Sequence, residues 1–387
     1  MVSKTKKTRI EKAALEKKGI VIEKSIEEAD KSNLKADYDS WPELARDAWT
    51  EAVVPQIGTD FKSIIIAGMG GSGIIGDIVS DLATEKGSII RFQSVKDYHL
   101  PRWADENTIV VGISCSGNTE ETLSVLSEAR RKGLQGFTFG SGGLIGDYSK
   151  MKWTFKFTKT RMLKVPRSSL PGLFFPVLKF FVENSIIDLS EQEVVSSFNE
   201  LQKVRNICGG VSSSNPALDL ARIITGLKKE PLVYSSSRTK AVGLRFRQSL
   251  NENAKIHAFN GEIPELCHND VVGWDSVSAS AKEKKGNQDS LSDSLAIATR
   301  LKEDDPPEIR TRFDVVRSLI EKNGGQFREA PYSGYSYLGR LLSMLYSLDY
   351  VAYYCAVLRT IDPIRTPSID FLKRYVARKL DFLKQIQ

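Results

Sequence analysis

Residues 63–73 read Ser-Ile-Ile-Ile-Ala-Gly-Met-Gly-Gly-Ser-Gly, an apolar run that stops in a cluster of glycines. Residues 107–122 repeat this form as Asn-Thr-Ile-Val-Val-Gly-Ile-Ser-Cys-Ser-Gly-Asn-Thr-Glu-Glu-Thr, and helix-like sequence follows each stretch. Short apolar runs that end in glycine are typical of strands buried in a parallel sheet. The repeated order of strand, turn and helix therefore predicts an α/β fold with helices on both faces of a parallel sheet.

The rest of the sequence extends this pattern and predicts two domains of this kind. Further strands are predicted in the first half at Ser88–Phe92, Gly136–Phe139 and Trp153–Phe157. In the second half Pro231–Ser235 begins the same pattern again, and Ser294–Leu301 is a further predicted strand. The predicted divisions are a flexible basic arm over 1–40, a first domain over 41–185, a helical connection over 186–229, a second domain over 230–360 with a polar insertion at 276–293, and a C-terminal helix over 361–387.

Composition excludes several classes of protein. The chain has 387 residues, of which 41% are hydrophobic and 27% charged, as expected of a soluble protein with two cores. No uninterrupted apolar stretch approaches the roughly 20 residues of a membrane span, and the basic start has no apolar segment behind it. We therefore expect a cytoplasmic protein without a membrane partner.

The formal charge of +7 raises the question of nucleic acid binding. Four of the basic residues, Lys4, Lys6, Lys7 and Arg9, lie in the predicted arm, where a solubilising terminus explains them better. We expect no nucleic acid partner. The four cysteines are widely scattered and lack CxxC spacing, which predicts free thiols and no structural metal.

Two glycine- and serine-containing turns carry the candidate chemistry. Gly68-Met-Gly-Gly-Ser-Gly73 lies between a predicted strand and a helix, where backbone N–H groups can face an anion; its spacing also satisfies a dinucleotide fingerprint. Ser114-Cys-Ser-Gly-Asn-Thr119 gathers three hydroxyl groups in six residues, which suits a phosphate. The same residues also suit a helix N-cap, with Ser116 or Asn118 as the cap and Glu121 closing a capping box.

The order of these two turns resembles the sugar-isomerase (SIS) domain. Four further stretches, Pro166–Pro171, Asn251–Lys255, Pro264–Asn269 and Thr366–Arg374, resemble the archaeal-type bifunctional phosphoglucose/phosphomannose isomerases. The resemblance covers residues 45 to 385 in order. It implies a homodimer whose subunits each have two SIS domains, built as three-layer αβα sandwiches, and an aldose–ketose isomerase that interconverts glucose 6-phosphate and mannose 6-phosphate with fructose 6-phosphate.

The resemblance also implies roles for particular residues. Such isomerisation moves a proton between C1 and C2 through an enediol, so it needs a base above these carbons. By their positions in the family motifs, the implied residues are Glu252 as the base, His268 from the neighbouring subunit and Lys373 as ring-opening groups, Arg167 as the stabiliser of the enediolate, Ser72, Ser114, Ser116 and Thr119 as phosphate ligands, Gly71 as the close backbone approach, and Thr366 as the residue that tolerates both C2 epimers. Neither a cofactor nor a metal is expected.

Four alternatives bear on this interpretation. A non-catalytic SIS protein that senses a sugar phosphate would need the serine-rich turn but not Glu252, His268 and Lys373 together. An amidotransferase would need a glutaminase domain, for which the chain has neither the N-terminal cysteine nor the length. A nicotinamide-dependent enzyme would need an acidic residue about 20 positions after the glycine turn, where Ser88–Phe92 stands instead. A nucleic acid binder would rest on the basic arm alone.

Overall fold

The computed structural model describes residues 22–58, 60–148, 155–212, 214–275 and 291–380. The chain divides into two compact units. The first unit comprises Ala36–Phe198 and Thr366–Gln387, and the second comprises Met1–Lys35 and Asn199–Arg365, each as far as the structure describes it. This division differs from the predicted one, because the C-terminal helix groups with the first unit, while the arm through Lys35 and most of the helical connection group with the second.

The helices and strands follow one another along the chain in a regular alternation. The described helices are α1 (residues 22–29), α2 (Leu34–Asp39), α3 (Trp41–Glu51), α4 (Gly70–Glu85), α5 (Glu120–Arg131), α6 (Gly143–Tyr148), α7 (Leu170–Glu183), α8 (Glu191–Cys208), α9 (Pro216–Thr225), α10 (Lys240–Ser249), α11 (Pro307–Lys322), α12 (Tyr337–Leu358) and α13 (Pro367–Leu380). The described strands are β1 (Ser63–Ala67), β2 (Arg91–Val95), β3 (Thr108–Ser114), β4 (Gln135–Gly140), β5 (Lys156–Lys159), β6 (Leu232–Ser236), β7 (Phe259–Ile263), β8 (Leu295–Thr299) and β9 (Gln326–Glu329).

The first unit contains a parallel sheet with the strand order β2-β1-β3-β4-β5. Every residue of β1 and β3 is buried, because helices cover both faces of the sheet, and this explains the unbroken apolar runs from which the two strands were predicted. The chain reverses direction across the sheet between β1 and β3, so the turns after these strands meet at one edge. The α/β prediction is confirmed.

Strand β2 begins later than the predicted Ser88–Phe92. The Ser88 N–H donates to the carbonyl of Ala83 and so belongs to the end of α4, while Ile89 is 97% exposed. Strand β5 covers Lys156–Lys159, and Trp153 of the predicted strand lies outside the described part. Apolar character placed both strands approximately but did not set where they begin.

The second unit contains a parallel sheet with the order β7-β6-β8-β9. Strands β6 and β8 match the predictions from Pro231–Ser235 and Ser294–Leu301. Strands β7 and β9 were not predicted, because they are short, lie at the two edges of the sheet and leave polar residues exposed. Residues 276–290 of the predicted insertion lie outside the described part, and Leu291–Asp293 forms a 3₁₀ turn.

Helix α12 is the core helix of the second unit. It is long and apolar enough to cross a membrane by composition, yet 94% of its apolar window is buried within the protein. The carboxylate of Asp349 on α12 is fully buried and pairs with Arg245 of α10 at 2.9 Å, Nη2 to Oδ2. A buried charge requires such a partner, so this pair joins α10 to α12.

The prediction of a flexible arm through residue 40 is wrong for residues 22–40. These residues form α1 and α2 and lead into α3 at Trp41, with Leu34 and Tyr38 fully buried. The Asp30 carboxylate accepts the Leu34 N–H at 2.7 Å and, in the second unit, the Tyr353 hydroxyl at 3.0 Å. Because charged and small residues alternate here, the sequence shows no apolar pattern from which this packing could be predicted. Residues 1–21 lie outside the described part.

Candidate active site

The glycine turn after β1 starts α4 at Gly70, whose φ of +51° favours glycine. A Cβ at Gly73 would lie 2.5 Å from the carbonyl oxygen of Gly68, so the turn is also too tight for a larger residue there. The Ser72 hydroxyl accepts the N–H of Cys115 at 3.1 Å. This bond joins the glycine turn to the serine turn after β3.

The serine turn, residues 114–119, presents two hydroxyl groups near the start of α5. Ser114 is fully buried and its hydroxyl lies 2.8 Å from that of Thr119, whereas Ser116 is exposed and Thr119 is half-buried. Thr119 is the residue that precedes α5, and its side chain makes no capping bond. Ser116, Thr119 and the first N–H groups of the 12-residue helix α5 are therefore suited to an anion.

The capping alternative from the sequence is wrong in its choice of cap. Thr119, and neither Ser116 nor Asn118, is the residue directly before α5. The Asn118 Oδ1 atom accepts the Leu144 N–H at 3.0 Å instead. The pKa of Glu120, in the first turn of α5, is raised by partial burial and then by the neighbouring charge of Glu121. Burial also raises the pKa of the Cys115 thiol to about 11, so this thiol stays neutral beside the hydroxyl groups of the turn.

A second loop, residues 140–145, holds the serine turn in place. Ser141 donates its hydroxyl to the Cys115 carbonyl at 2.7 Å, and the Ile145 N–H donates to the Gly117 carbonyl at 2.9 Å. A Cβ at Gly117 would lie 1.7 Å from the Gly142 carbonyl oxygen, and Gly117 has a φ of +73°. The turn therefore tolerates no side chain at Gly117.

We expect Gly117→Ala to lower affinity for a phosphorylated sugar by about 10- to 100-fold, the value of one lost hydrogen bond to a charged group. The added methyl group must push residue 142 away and so displace Ser116 and Thr119. Calorimetric titration with fructose 6-phosphate measures the effect. Gly133→Ala is the matched control, because Gly133 has a similar φ of +70° but no atom within 4 Å of an added Cβ. Equal affinity in the two variants would contradict this account of the turn.

Arg167 lies beside the glycine turn and is 4% exposed. A Cβ at Gly71 would lie 3.3 Å from the Pro166 carbonyl oxygen and 3.4 Å from the Arg167 nitrogen, so Gly71 packs against this segment. The neighbouring Ser168 is anchored twice: its carbonyl accepts the Trp41 indole N–H at 2.7 Å, and its hydroxyl donates to Asp37 at 2.8 Å. The structure thus gathers Gly71, Ser72, Ser114, Ser116, Thr119 and Arg167 at one edge of the first sheet.

Glu252 lies in the second unit, within a π-helical turn, Leu250–Ala254, that continues α10. Its side chain is half-buried. Turns of this type are rare and occur frequently at functional sites. Ser249, the residue directly before this turn, donates its hydroxyl to the buried Asp349 carboxylate. Helix α12 therefore supports the backbone from which Glu252 projects.

The other three predicted residues lie apart from these groups in the chain. His268 ends a 3₁₀ turn, Glu265–His268, in the second unit and is exposed. Thr366 and Lys373 belong to the first unit; Thr366 is half-buried and its carbonyl accepts the Ile369 N–H at the start of α13, while Lys373 is exposed on that helix. Exposure leaves His268 and Lys373 accessible to a ligand.

Sequence reasoning missed the residues that hold the site. Asp37 and Trp41 lie 131 and 127 positions from Ser168, in a stretch interpreted as an arm and the start of the fold. Ser141, which binds the Cys115 carbonyl, was not predicted to take part in the site either. Their partners are distant in sequence, so no local pattern identified them.

Comparison with known proteins identifies a matching family and several relatives of this chain. Residues 213–376 match the family described as "Bacterial phospho-glucose isomerase C-terminal SIS domain". The bifunctional phosphoglucose/phosphomannose isomerase of Thermoplasma volcanium is 30% identical over 318 residues, 82% of this chain and 92% of the relative; that of Thermoplasma acidophilum is 29% identical over 322 residues, 82% and 90%. The D-glucosamine-6-phosphate 4-epimerase of Sulfolobus acidocaldarius is 28% identical over 259 residues, 65% and 74%.

Solved structures agree on the fold. The C-terminal domain of glucosamine-fructose-6-phosphate aminotransferase from Francisella tularensis superimposes with a TM-score of 0.61 at 13% identity, over 86% of this chain and 98% of that one. Tagatose-6-phosphate ketose/aldose isomerase from Escherichia coli gives 0.61 at 12% identity, over 87% and 96%. With the motifs, the two parallel sheets and the identity over most of its length, the chain belongs to the bifunctional phosphoglucose/phosphomannose isomerase family.

Proposed function

We propose that this protein is an aldose–ketose isomerase that interconverts glucose 6-phosphate and mannose 6-phosphate with fructose 6-phosphate. The observation that carries the proposal is the meeting of the glycine turn, the serine turn and the Arg167 segment at one sheet edge. The activity for which the Thermoplasma relatives are named supports the choice of substrates. A cytoplasmic location agrees with this chemistry.

The phosphate is assigned to the serine turn. Ser116 and Thr119 supply hydroxyl donors beside the N-terminus of α5, and Ser114 orients the Thr119 hydroxyl across 2.8 Å. Ser72 is held against Cys115 and keeps the glycine turn next to this cradle. The phosphate thereby anchors the sugar, and its binding energy can be used to place the reacting carbons.

Proton transfer is assigned to Glu252. In the aldose-to-ketose direction its carboxylate removes the proton from C2 as the carbonyl at C1 becomes the enediolate oxygen. The O2 hydroxyl proton passes to O1, the same carboxyl returns the carbon-bound proton to C1, and the carbonyl forms at C2. The Arg167 guanidinium stabilises the charge that develops on the oxygens, an interaction that is stronger in the transition state than in the bound substrate.

Ring opening is assigned to His268 and Lys373, because an acid and a base must act before the open-chain sugar is available. A neutral or protonated imidazole exchanges protons readily near neutral pH. We assign His268 to the site of the neighbouring subunit, so the active species is a homodimer of the 43.1 kDa chain. Thr366 is assigned to the sugar, where a small hydroxyl side chain accommodates both C2 epimers.

The test is to incubate purified protein and a chelator with fructose 6-phosphate and to measure glucose 6-phosphate and mannose 6-phosphate separately. Formation of both supports the bifunctional assignment. Glucose 6-phosphate alone would overturn the role of Thr366. Formation of neither would overturn the proposal and favour a non-catalytic sugar-phosphate sensor, and glucosamine 6-phosphate in a parallel reaction would reveal the activity named for the Sulfolobus relative.

A further inference from the structure

The side chain of Lys255 folds back onto the turn that carries Glu252. Its ammonium donates to the carbonyl of Glu252 at 2.5 Å, to that of Asn253 at 3.5 Å and to that of Arg365 at 2.7 Å. Lys255 itself has φ 56° and ψ 38°, a left-handed conformation that glycine adopts far more easily than lysine. A strained lysine at this position suggests that its side chain is needed.

The carbonyls at the end of a helical turn lack partners within the turn. Here two cationic side chains are the partners. The Lys255 ammonium donates to the carbonyls of Glu252 and Asn253, and the Arg359 guanidinium donates to the carbonyls of Ala254 at 2.7 Å and Lys255 at 3.1 Å. Four consecutive carbonyls are thus bound by side chains. Cations are favoured at this end of a helix because of its partial negative charge.

The third acceptor of Lys255 differs from the other two because it lies 110 positions away. Arg365 is the residue directly before Thr366, which we have assigned to the sugar, and Thr366 leads into α13 with Lys373. Arg359 lies on the same connection between α12 and α13. One ammonium therefore holds the backbone of the proposed base and also the peptide that leads into the proposed specificity residue.

We propose that Lys255 is a positioning residue for both groups. Its ammonium sets the backbone of Glu252 and holds the Arg365 carbonyl, in the peptide that directly precedes Thr366. A proton transfer is sensitive to displacements of about 1 Å, which can cost about 10²-fold in rate. Loss of the ammonium therefore slows proton transfer and changes the preference between the two C2 epimers. The inference rests on the proposed function, because it concerns residues assigned there.

Three variants separate the ammonium from the backbone strain. Lys255→Met keeps the apolar stem and removes the charge, Lys255→Gly removes the charge and relieves the left-handed strain, and Lys255→Arg keeps a cation. Lys240→Met is the matched control, because Lys240 is an exposed lysine on α10 whose ammonium makes a surface ion pair with Glu262 at 3.2 Å.

For each variant, kcat, KM and the ratio of mannose 6-phosphate to glucose 6-phosphate formed from fructose 6-phosphate are measured. We expect both Met and Gly at 255 to lower kcat by about 10²-fold with a smaller change in KM and to alter the product ratio, Arg to recover most of the loss, and Lys240→Met to match the parent. If the Gly variant is as active as the parent, the role of the ammonium is overturned.

Amide hydrogen exchange provides a readout that does not depend on activity. Exchange of residues 250–257 and 364–368 should be faster in Lys255→Met than in the parent, with residues of β6 unchanged. A parent without isomerase activity would overturn the proposed function, while this exchange result still decides the structural role. Unchanged exchange at both segments would overturn the positioning role even in an active enzyme.

Discussion

Glu252→Gln should lower turnover of fructose 6-phosphate by about 10²–10⁴-fold, the usual contribution of a positioned general base. A neutral amide does not accept the proton from carbon, yet it has nearly the volume of the carboxylate. Because the side chain of Glu252 is only half-buried, the substitution should leave the fold intact. Product formation is measured by coupled assay, and calorimetry with fructose 6-phosphate should show near-normal affinity.

The control for this change is Glu230→Gln, which neutralises an exposed carboxylate just before β6. It should retain the parent's kcat, so that a change in net charge is separated from loss of the base. Incubation in deuterated water supplies a direct test, since the parent should introduce deuterium at the transferred position and Glu252→Gln should not. Near-normal turnover in Glu252→Gln would remove Glu252 from the mechanism.

Asp349→Ala should destabilise the second unit by about 3–5 kcal/mol, the cost of leaving one member of a buried ion pair alone. The Arg245 side chain is 3% exposed and donates to this carboxylate from Nη2 to Oδ2 at 2.9 Å and from Nε to Oδ1 at 3.2 Å. The Ser249 hydroxyl loses its acceptor as well. Urea unfolding followed by circular dichroism measures the free energy of unfolding.

Two further variants test whether the loss of stability comes from the unpaired buried charge. Glu321→Ala breaks a half-exposed pair with Arg317 on α11 and should cost no more than about 0.5 kcal/mol. Arg245→Met combined with Asp349→Leu removes both buried charges, and it should recover much of the stability because no unpaired charge remains. A single Asp349→Ala variant as stable as Glu321→Ala would show that the buried pair does not hold α10 to α12.

The sequence predicted the parts of the fold whose signal is local. Strands β1, β3, β4, β6 and β8 were placed because strands covered by helices on both faces are continuous apolar runs. Edge strands β7 and β9 were missed since only part of each is buried. Helices α1 and α2 were missed because their apolar residues are sparse, although α2 buries Leu34 and Tyr38 fully.

The sequence by itself determined the two turns, because glycines and hydroxyl groups a few positions apart must lie together whatever the rest of the chain does. Only the tertiary structure decided how these groups are held. The Asp37–Ser168, Arg245–Asp349 and Lys255–Arg365 contacts join residues 100 or more positions apart. The sequence does not show which distant group will form a hydrogen bond or an ion pair with a given polar side chain, since burial and pairing arise only when the chain has folded.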